Sequence, residues 1–415
     1  MSIDKNTKLI VIAVVILAVI GIGYWALRPK PIADDEEPIA DDVEPIADDV
    51  GPTGAPIKIG MFVDTTGTAA TQGLRMVSAA RMALEIVNEE GGVLGRPLEL
   101  IARDTASDAL TAIAAMRRLV EVDRVHILNG PHWSSCCLPC LPVSDELGIP
   151  WINTASTHRK LGESGGVGGN RWFFHTKLID YWFFSSYLDI LVNEVGAKTF
   201  IGVFRNDDWG HQCRDIISDY LTQYGGELIE DVYFEPGETN YMPILTRIKD
   251  LKPDGIIPVG PTVDFVRQWS ELGLSDDIPL FWRSFTFFEW RRLLGEEILE
   301  GIWGVDQYTA VIDTSENRAF VNEFYNRYGV YPTANDGLVY EGVHLMAQAI
   351  EEAGSTDPDA IHDALENIEF LSPLTGWTIT FDEYHNGSGL IQIYNVQDGE
   401  PLMLYSTNTD EITLG

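Results

Sequence analysis

The sequence predicts an α/β protein made of two similar, doubly wound lobes. From residue 57 onward, short apolar runs alternate with segments of helical periodicity, which is typical of a parallel sheet covered by helices on both faces. The same alternation restarts after a glycine-rich loop at residues 162–169. With 415 residues, 45% of them hydrophobic, the chain is long enough to bury two cores.

The first lobe begins with the apolar strand Ile57–Val63, which a loop rich in glycine and threonine follows. Residues 73–89 carry apolar side chains on one helical face, and Gly91 and Gly92 end this helix. The remaining strands of this lobe are predicted at residues 98–102, 125–128 and 149–152, and its helices at residues 108–120 and 134–147.

The second lobe repeats this pattern after an aromatic segment at residues 172–184. Its strands are predicted at residues 199–204, 227–234, 255–259 and 279–282, and its helices at residues 209–224, 241–251 and 263–272. The chain then returns to the first lobe near residues 304–310. Two further helices are predicted at residues 315–328 and 337–352, and a closing hairpin at residues 377–382 and 390–396.

These elements define two Rossmann-like lobes that a multi-strand hinge joins. We assign residues 57–175 plus 306–372 to lobe I and residues 176–305 plus 373–408 to lobe II. Clefts between such lobes are where small ligands bind, and hinge motion can close them.

The N-terminal segment, residues 1–30, is predicted to be a membrane anchor. Its stretch from Leu9 to Leu27 lacks charged residues and is long enough to span a bilayer. A cleaved signal peptide is the alternative, although the apolar run is long for one. Residues 31–56 follow as an acidic, disordered tether with PIADD repeats. Together they predict a cell-surface, extracytoplasmic domain anchored to the cytoplasmic membrane.

The formal net charge of −35 argues against nucleic acid as a partner, because nucleic acid requires a basic surface. The four cysteines, at positions 136, 137, 140 and 213, lack the spacing of a zinc site. They fit either apolar packing or a local disulfide. No metal or other cofactor is predicted.

Residues 125–157 carry the polar groups that suggest a binding site. Ser134 and Ser135 stand at the predicted start of a helix, where free N–H groups and hydroxyls can bind a carboxylate or amide oxygen. Residues 155–157 end the next strand at the same edge of the sheet, where ligands of parallel sheets bind. The alternative is that Ser134 only caps the helix.

The chain also resembles the type I periplasmic solute-binding proteins, specifically the branched-chain amino acid and amide group that serves ABC importers. The resemblance covers essentially everything after Ile57. Its most specific segment is ALEIVNEEGGVLGRPLELIARDTASD at residues 83–108. It is also carried by IKIGMFVDTTG, GIPWINTAST, the DDWG turn at residues 207–210 and LTGWTITFDEYHNGSG.

The resemblance implies ligand-binding roles for residues of both lobes. In lobe I, Ser134 and Ser135 meet the ligand carboxylate or amide, and the backbone of Ala155 and the hydroxyl of Thr157 contact its polar head. Trp209 closes over the ligand from lobe II. The remaining positions implied in or beside the cleft are Ser156, Gly260, Gln72, Asn335 and Asp336.

One position departs from the pattern of the amino-acid binders. Where they place an acidic residue against the ligand ammonium, this chain has Ser284, preceded by Arg283. Either another acid (Asp207, Asp208 or Asp336) replaces it, or the ligand is not an α-amino acid. Arg283 in the cleft would favour a carboxylate, whereas its alternative role is a solvated residue or an interlobe salt bridge.

The predicted function is solute binding for an ABC importer, with delivery of an amino acid, amide or carboxylate to a permease in the membrane. A ligand-sensing receptor ectodomain of the same fold is the alternative. An enzyme is not expected, because hydrolase, nucleotide-binding and metalloprotease motifs are absent from the sequence and His132 lacks an evident catalytic partner.

Overall fold

The computed structural model describes residues 52–409. The predicted membrane anchor and most of the predicted tether lie outside these residues. Across residues 52–409, no helix is both long enough and apolar enough to cross a bilayer.

The first lobe is built on a parallel five-stranded sheet in the order β2-β1-β3-β4-β5. Its strands are β1 (Ile57–Val63), β2 (Leu98–Asp104), β3 (Ile127–Asn129), β4 (Trp151–Asn153) and β5 (Phe173–His175). Its helices up to residue 147 are α1 (Ala70–Glu89), α2 (Ala109–Glu121), α3 (Ser134–Cys137) and α4 (Leu141–Leu147). The strand order reverses between β1 and β3, which places a crevice at the carboxyl ends of these strands.

The second lobe begins with helix α5 (Asp180–Asp189) and contains two sheets. The parallel sheet, in the order β7-β6-β8, consists of β6 (Thr199–Arg205), β7 (Glu227–Phe234) and β8 (Gly255–Val259). A bridge between Ile256 and Leu280 connects it to the second sheet, in the order β14-β13-β10-β9. That sheet consists of β9 (Phe281–Arg283), β10 (Trp303–Asp306), β13 (Leu390–Gln397) and β14 (Glu400–Asn408). The covering helices are α6 (Asp208–Tyr224), α7 (Met242–Leu251), α8 (Val263–Glu271) and α9 (Phe287–Leu294).

The chain returns to the first lobe after β10. Helices α10 (Ser315–Tyr328), α11 (Ala334–Ala353) and α12 (Pro358–Glu366) complete that lobe, together with the short strands β11 (Phe370–Leu371) and β12 (Thr378–Ile379). Helix α11 packs beside α1, and its apolar residues share one buried cluster with those of β1 and α1.

The segments that cross between the lobes are joined by buried polar contacts. Gln307 accepts a hydrogen bond from the N–H of Leu178 at 2.9 Å and donates one to the carbonyl of Thr176 at 2.8 Å. The N–H of Gly387 donates to the carbonyl of His175 at 2.7 Å. Residues from three separate crossings therefore lie side by side, as expected for a multi-strand hinge.

The predicted closing hairpin is wrong. Residues 378–379 pair with residues 370–371, and β13 pairs with β14 instead. The side chains of Leu374 and Ile379 are buried in the first-lobe core, so the chain returns to the second lobe later than residue 373. This pairing could not be predicted from the sequence, because β11 and β12 have only two residues each, too few to show a periodic pattern.

Candidate ligand-binding cleft

A cavity of about 340 Å³ lies between the two lobes at the carboxyl ends of β3 and β4. Such a volume suits a small molecule. Its lining residues come from both lobes and from the crossing segments: His132, Trp133, Ser134, Ser135, Ala155, Ser156, Thr157, His158, Lys177, Arg205, Asp207, Asp208, Trp209, Gly260, Arg283, Ser284 and Asn335.

The first-lobe wall consists of two loops that the side chain of Asn153 holds together. Its amide nitrogen donates to the carbonyls of Gly130 and Pro131 at 3.0 and 2.9 Å. Its amide oxygen accepts from the N–H groups of Ala155 and Ser156 at 3.2 and 2.9 Å. The N–H of Ala155 is therefore already used, which leaves its carbonyl as the polar group available to a ligand.

The serine hydroxyls of this wall differ in whether they are already hydrogen-bonded. Ser156 donates its hydroxyl proton to the carbonyl of Pro131 at 3.1 Å, so this group stabilises the loop. Ser134 is the first residue of α3, and the cap position is occupied by Trp133, whose side chain makes no capping bond. Ser134 is thus not the helix cap. Among residues 52–409 no hydrogen-bond partner is found for its hydroxyl, which lines the cavity.

Asp180, at the start of α5, organises the second-lobe side of the cleft. Its Oδ2 accepts hydrogen bonds from Thr157 Oγ1 at 3.1 Å, from Trp209 Nε1 at 2.9 Å and from Gln212 Nε2 at 3.3 Å. Sequence reasoning missed this fully buried residue, because α5 is apolar around much of its circumference and carries no motif. Asp180 thereby fixes the orientation of Trp209 and joins the two lobes.

Arg283 lies in the cavity wall with its side chain only 7% exposed. Its Nε is 3.1 Å from Asp180 Oδ1, an ion pair in which neither atom forms a hydrogen bond. Its Nη2 also has no hydrogen-bond partner within residues 52–409. The guanidinium stacks 4.6 Å from the ring centroid of Phe183. A buried cationic donor therefore borders the cavity without a hydrogen-bond acceptor in the described part of the chain.

A second buried ion pair joins Lys177 and Asp306, with Nζ and Oδ1 2.6 Å apart. Burial lowers the pKa of Lys177, although the nearby Asp306 carboxylate opposes this shift. Burial alone would raise the pKa of Asp306, but Lys177 and Arg283 together lower it. The aspartate is therefore ionised at neutral pH and balances Lys177 where two crossing segments meet.

Aromatic rings flank the cavity from both lobes. The guanidinium of Arg205 lies 5.0 Å from the ring centroid of Trp209 and 5.6 Å from that of Trp133, which places it between the lobes. Gly260 faces the ring of Trp209. At its φ of 84°, a Cβ would stand 3.0 Å from Trp209 Cζ3, so glycine is required there for this packing.

The carboxylates that line the cavity are already paired. Asp207 caps α6 by accepting from the N–H of Gly210 at 2.8 Å and also pairs with Arg205. Asp208 is largely exposed and lies 3.2 Å from His158 Nε2 across the cleft. His132 contributes no charge near neutral pH, because burial lowers its pKa to about 4. None of the described lining residues offers an unpaired buried carboxylate for an ammonium group.

Two predicted ligand residues lie elsewhere. Asp336 is buried outside the cavity, where it forms a capping box with Thr333 at the start of α11 and a 3.0 Å ion pair with Arg75. Gln72 donates to Thr333 and Asp336, both at 3.0 Å. The neighbouring Asn335 lines the cavity instead. We therefore correct the placement of Gln72 and Asp336: they connect α1 to α11 and do not face the cleft.

The other predicted positions (Ser134, Ser135, Ala155, Ser156, Thr157, Trp209, Gly260, Arg283 and Ser284) all line the cavity. Their contact with a ligand stays a prediction. The local disulfide is not formed, since the four cysteines are buried free thiols. Burial raises the pKa of Cys137 well above its usual value, which fits the packing alternative.

Comparisons with known proteins agree on one family. A family model described as periplasmic binding protein matches residues 56–401. An amino acid binding protein of Pseudomonas aeruginosa is 26% identical over 321 residues, which cover 73% of this chain and 80% of the relative. A Leu/Ile/Val-binding protein homolog 6 of Brucella melitensis is 26% identical over 334 residues, which cover 76% of this chain and 82% of the relative.

Solved structures share the fold. A solute binding protein of an ABC transporter from Rhodopseudomonas palustris, in complex with 3,4-dihydroxybenzoic acid, superposes with a TM-score of 0.76 at 21% identity, covering 85% of this chain and 97% of that one. A leucine binding protein from Thermotoga maritima gives a TM-score of 0.72 at 22% identity, covering 86% and 100% of the two chains.

Proposed function

This chain belongs to the periplasmic binding protein family, and we propose that it binds a small carboxylate with an apolar or aromatic body in its interlobe cleft. Membership of this family and the names of its relatives support the proposal that it acts as an extracytoplasmic solute-binding protein of an ABC importer. The ligand class is our proposal, and the observation that carries it is the buried guanidinium of Arg283, whose Nη2 lacks a hydrogen-bond acceptor among the residues that the structure describes.

Hydrogen-bonding capacity at the cleft favours an anionic acceptor. Arg283 and Ser134 have donors without partners among the described residues, whereas the lining carboxylates Asp207 and Asp208 already have partners. The Oδ1 of Asp180, which forms no hydrogen bond within residues 52–409, lies behind the lining against Arg283 Nε. A ligand carboxylate can satisfy these donors through charge-assisted hydrogen bonds. An α-ammonium group would need an acidic partner, and burying it without one is costly. A carboxylate without an α-ammonium group therefore fits better than an amino acid.

The rest of the cavity suits an apolar ligand body. Trp133 and Trp209 border it, and Asp180 fixes the indole of Trp209. Aromatic walls of this kind bind flat or branched apolar groups. The structural neighbour in complex with 3,4-dihydroxybenzoic acid shows that this fold can bind an aromatic carboxylate.

We further propose that ligand binding closes the cleft and that a membrane permease recognises the closed form. The ligand would bind the Ser134 and Thr157 wall first, and closure would bring Trp209 and Arg283 against it. Differential affinity for the closed form is what drives such a change. Small-angle scattering should show compaction with ligand, and an unchanged radius of gyration at saturation would contradict closure. The anchor and tether would keep the protein at the membrane surface.

Isothermal titration calorimetry with a ligand panel tests the ligand class. The panel contains benzoate, short aliphatic carboxylates, benzamide, leucine, isoleucine, valine and phenylalanine. We expect a carboxylate to bind and the four amino acids to bind far more weakly. Arg283→Gln should lower carboxylate affinity about 100-fold, since hydrogen bonds to charged groups contribute about 1.5–3 kcal/mol.

Arg292→Gln is the matched control, because Arg292 lies in the same lobe but pairs with Glu289 at the surface. It should leave the affinity unchanged. Tight binding of leucine, undiminished in Arg283→Gln, would overturn the carboxylate proposal and direct attention to Asp208 as the ammonium partner.

A further inference from the structure

A second polar cluster lies on the first lobe and shares no lining residue with the ligand cleft. It contains His362 and Glu366 on α12 and His385 in a turn before β13. One ligand atom from each of the three side chains lies within 4.8 Å of the other two. Because His362 and Glu366 are four residues apart on a helix, their side chains share one face. The turn adds His385 from a distant part of the chain.

The distances between these atoms approach those of a metal coordination shell. Glu366 Oε1 is 3.4 Å from His385 Nε2 and 3.7 Å from His362 Nε2. Two ligands at about 2.0–2.1 Å from a tetrahedral zinc ion stand roughly 3.3–3.4 Å apart. Both carboxylate-to-imidazole distances are therefore close to this spacing, and the ligand atoms of the two rings lie within 4.8 Å of each other.

Outer contacts orient both rings toward this point. His385 Nδ1 lies 3.2 Å from the carbonyl of Phe173, so it carries the proton and leaves the lone pair of Nε2 facing Glu366. His362 Nδ1 lies 3.1 Å from Asp363 Oδ1 and 3.3 Å from the guanidinium nitrogen Nη2 of Arg171. When Nδ1 donates its proton to Asp363, the lone pair of Nε2 is free for a metal ion. Carboxylate and carbonyl partners of this kind typically orient metal-bound histidines.

An unpartnered buried atom is the second observation that points to a ligand. His362 has a side chain only 6% exposed, and its Nε2 has no hydrogen-bond partner among the described residues. Buried polar atoms are normally hydrogen-bonded, and a nitrogen without a partner requires an explanation. A cation at the centre of the cluster would supply one.

We propose that His362, Glu366 and His385 bind one divalent transition-metal ion. Two imidazoles and a carboxylate suit zinc and its neighbours better than calcium or magnesium, which prefer oxygen ligands. The carboxylate-bearing residues Asp382 and Glu383 line the same surface cavity of about 540 Å³, which leaves room for water or a fourth ligand.

The bound ion would stabilise a junction next to the hinge. The turn that carries His385 pairs with the edge of β5, where the N–H of His175 donates to the carbonyl of His385 at 2.9 Å. The same turn leads into the last crossing between the lobes. A metal ion would therefore fasten α12 to this crossing, and its effect should appear as thermal stability that is independent of the cleft ligand.

Zinc titration of the chelator-treated full-length protein tests this proposal, with cobalt as the spectroscopic probe. We expect one high-affinity zinc ion per chain, a raised melting temperature, and the strong visible absorption of tetrahedral cobalt. Glu366→Gln and His385→Gln should each weaken zinc binding by at least about tenfold, as loss of even an outer contact does at such sites.

His211→Gln is the control, because His211 is a solvent-exposed histidine beside Asn206 and Tyr233, away from this cluster. It should leave zinc affinity and the cobalt spectrum unchanged. The metal site would be supported if Glu366→Gln lost zinc binding while its metal-free form kept the melting temperature of the metal-free wild type. Zinc affinity that is equal in Glu366→Gln, His385→Gln and the wild type would overturn it, since the binding would then come from other acidic groups.

Discussion

The two lobes place their buried charges differently relative to the cleft. In the first lobe, Glu341 and Asp336, the partner of Arg75, are buried away from the cavity lining. In the second lobe and the crossing segments, Arg283 and Lys177 belong to that lining and are paired behind it with aspartates. The first-lobe wall is therefore largely neutral, and the charge beside the ligand comes from the opposite side.

The two sides of the cleft therefore have different roles. Asn153 fixes the shape of the first-lobe wall through backbone hydrogen bonds, and that wall would accept any small polar head. In the proposed binding mode, Arg283 and its partner Asp180 would determine which charge the head can carry. The proposal therefore implies that a few second-lobe residues set the ligand class, and that the overall fold and the serine-containing loop do not identify the ligand.

The largest expected effect on stability comes from removing the carboxylate that pairs with the buried Lys177. Asp306→Asn should lower the free energy of unfolding by about 3–5 kcal/mol, because an uncompensated buried charge is strongly destabilising. Urea denaturation of the ligand-free protein measures this effect. The double variant Lys177→Met with Asp306→Asn should recover most of the loss, since no unpaired charge is left.

The control for this prediction is Glu146→Gln, which opens the exposed Arg117–Glu146 pair. Surface ion pairs contribute little, so its denaturation midpoint should stay close to that of the wild type. Equal losses of stability in Asp306→Asn and Glu146→Gln would show that breaking the buried pair costs no more than breaking the exposed one.

Glu341, a buried acidic residue of the first lobe, provides a second test through the pH dependence of stability. Burial raises the pKa of this carboxyl to about 7, and Ser372 donates a hydrogen bond to it. The unfolded chain releases this proton near pH 4 and the folded protein only near pH 7, so stability should fall as the pH rises between these values. The total loss is about 3 kcal/mol.

Glu341→Gln should remove this part of the pH dependence and make the protein more stable than the wild type at pH 8. Near pH 4 the two proteins should differ little, since the carboxyl is then protonated in both states. Glu352→Gln, on the exposed end of the same helix, should retain the wild-type profile. Denaturation midpoints from pH 4 to pH 8 decide between these outcomes.

The sequence predicts most of the architecture because long periodic segments are strong signals. Strands β1, β7 and β8 and helix α10 have the predicted bounds. Elements without such periodicity were missed, notably α5 and the two-residue strand β11, and the segment that contains β12 was predicted to pair with the wrong partner. Tertiary packing determines those elements, and local pattern does not reveal it.

The same limit applies to the cleft. Positions such as Ser134 and Thr157 could be placed because they follow strands at one edge of the sheet. Asp180 could not, since it is the first residue of an unrecognised helix. The role of Asp336 was misassigned because a capping residue and a ligand residue look alike in sequence. His362 and His385 meet only through folding, and no sequence spacing relates them.

Trp209 tests the contribution of the second-lobe wall with a smaller expected effect. Trp209→Phe keeps an aromatic ring but removes the 2.9 Å hydrogen bond from Nε1 to Asp180. We expect carboxylate affinity to fall about tenfold, since bonds to charged groups contribute about 1.5–3 kcal/mol and the ring loses its fixed orientation. Trp377→Phe, in the first lobe outside the cavity lining, should leave the affinity unchanged. Calorimetric titration of both variants makes the comparison.

The smallest expected effect belongs to the interlobe contact between His158 and Asp208. Burial lowers the pKa of His158, and the Asp208 carboxylate, 3.2 Å away, opposes that shift. Asp208→Asn should therefore lower the pKa of His158 further, which NMR titration of the ring can follow. Because Asp208 is largely exposed, ligand affinity should change by less than about fivefold. A loss as large as that of Arg283→Gln would instead mean that Asp208 contacts the ligand directly, and the division between a neutral and a cationic wall would have to be redrawn.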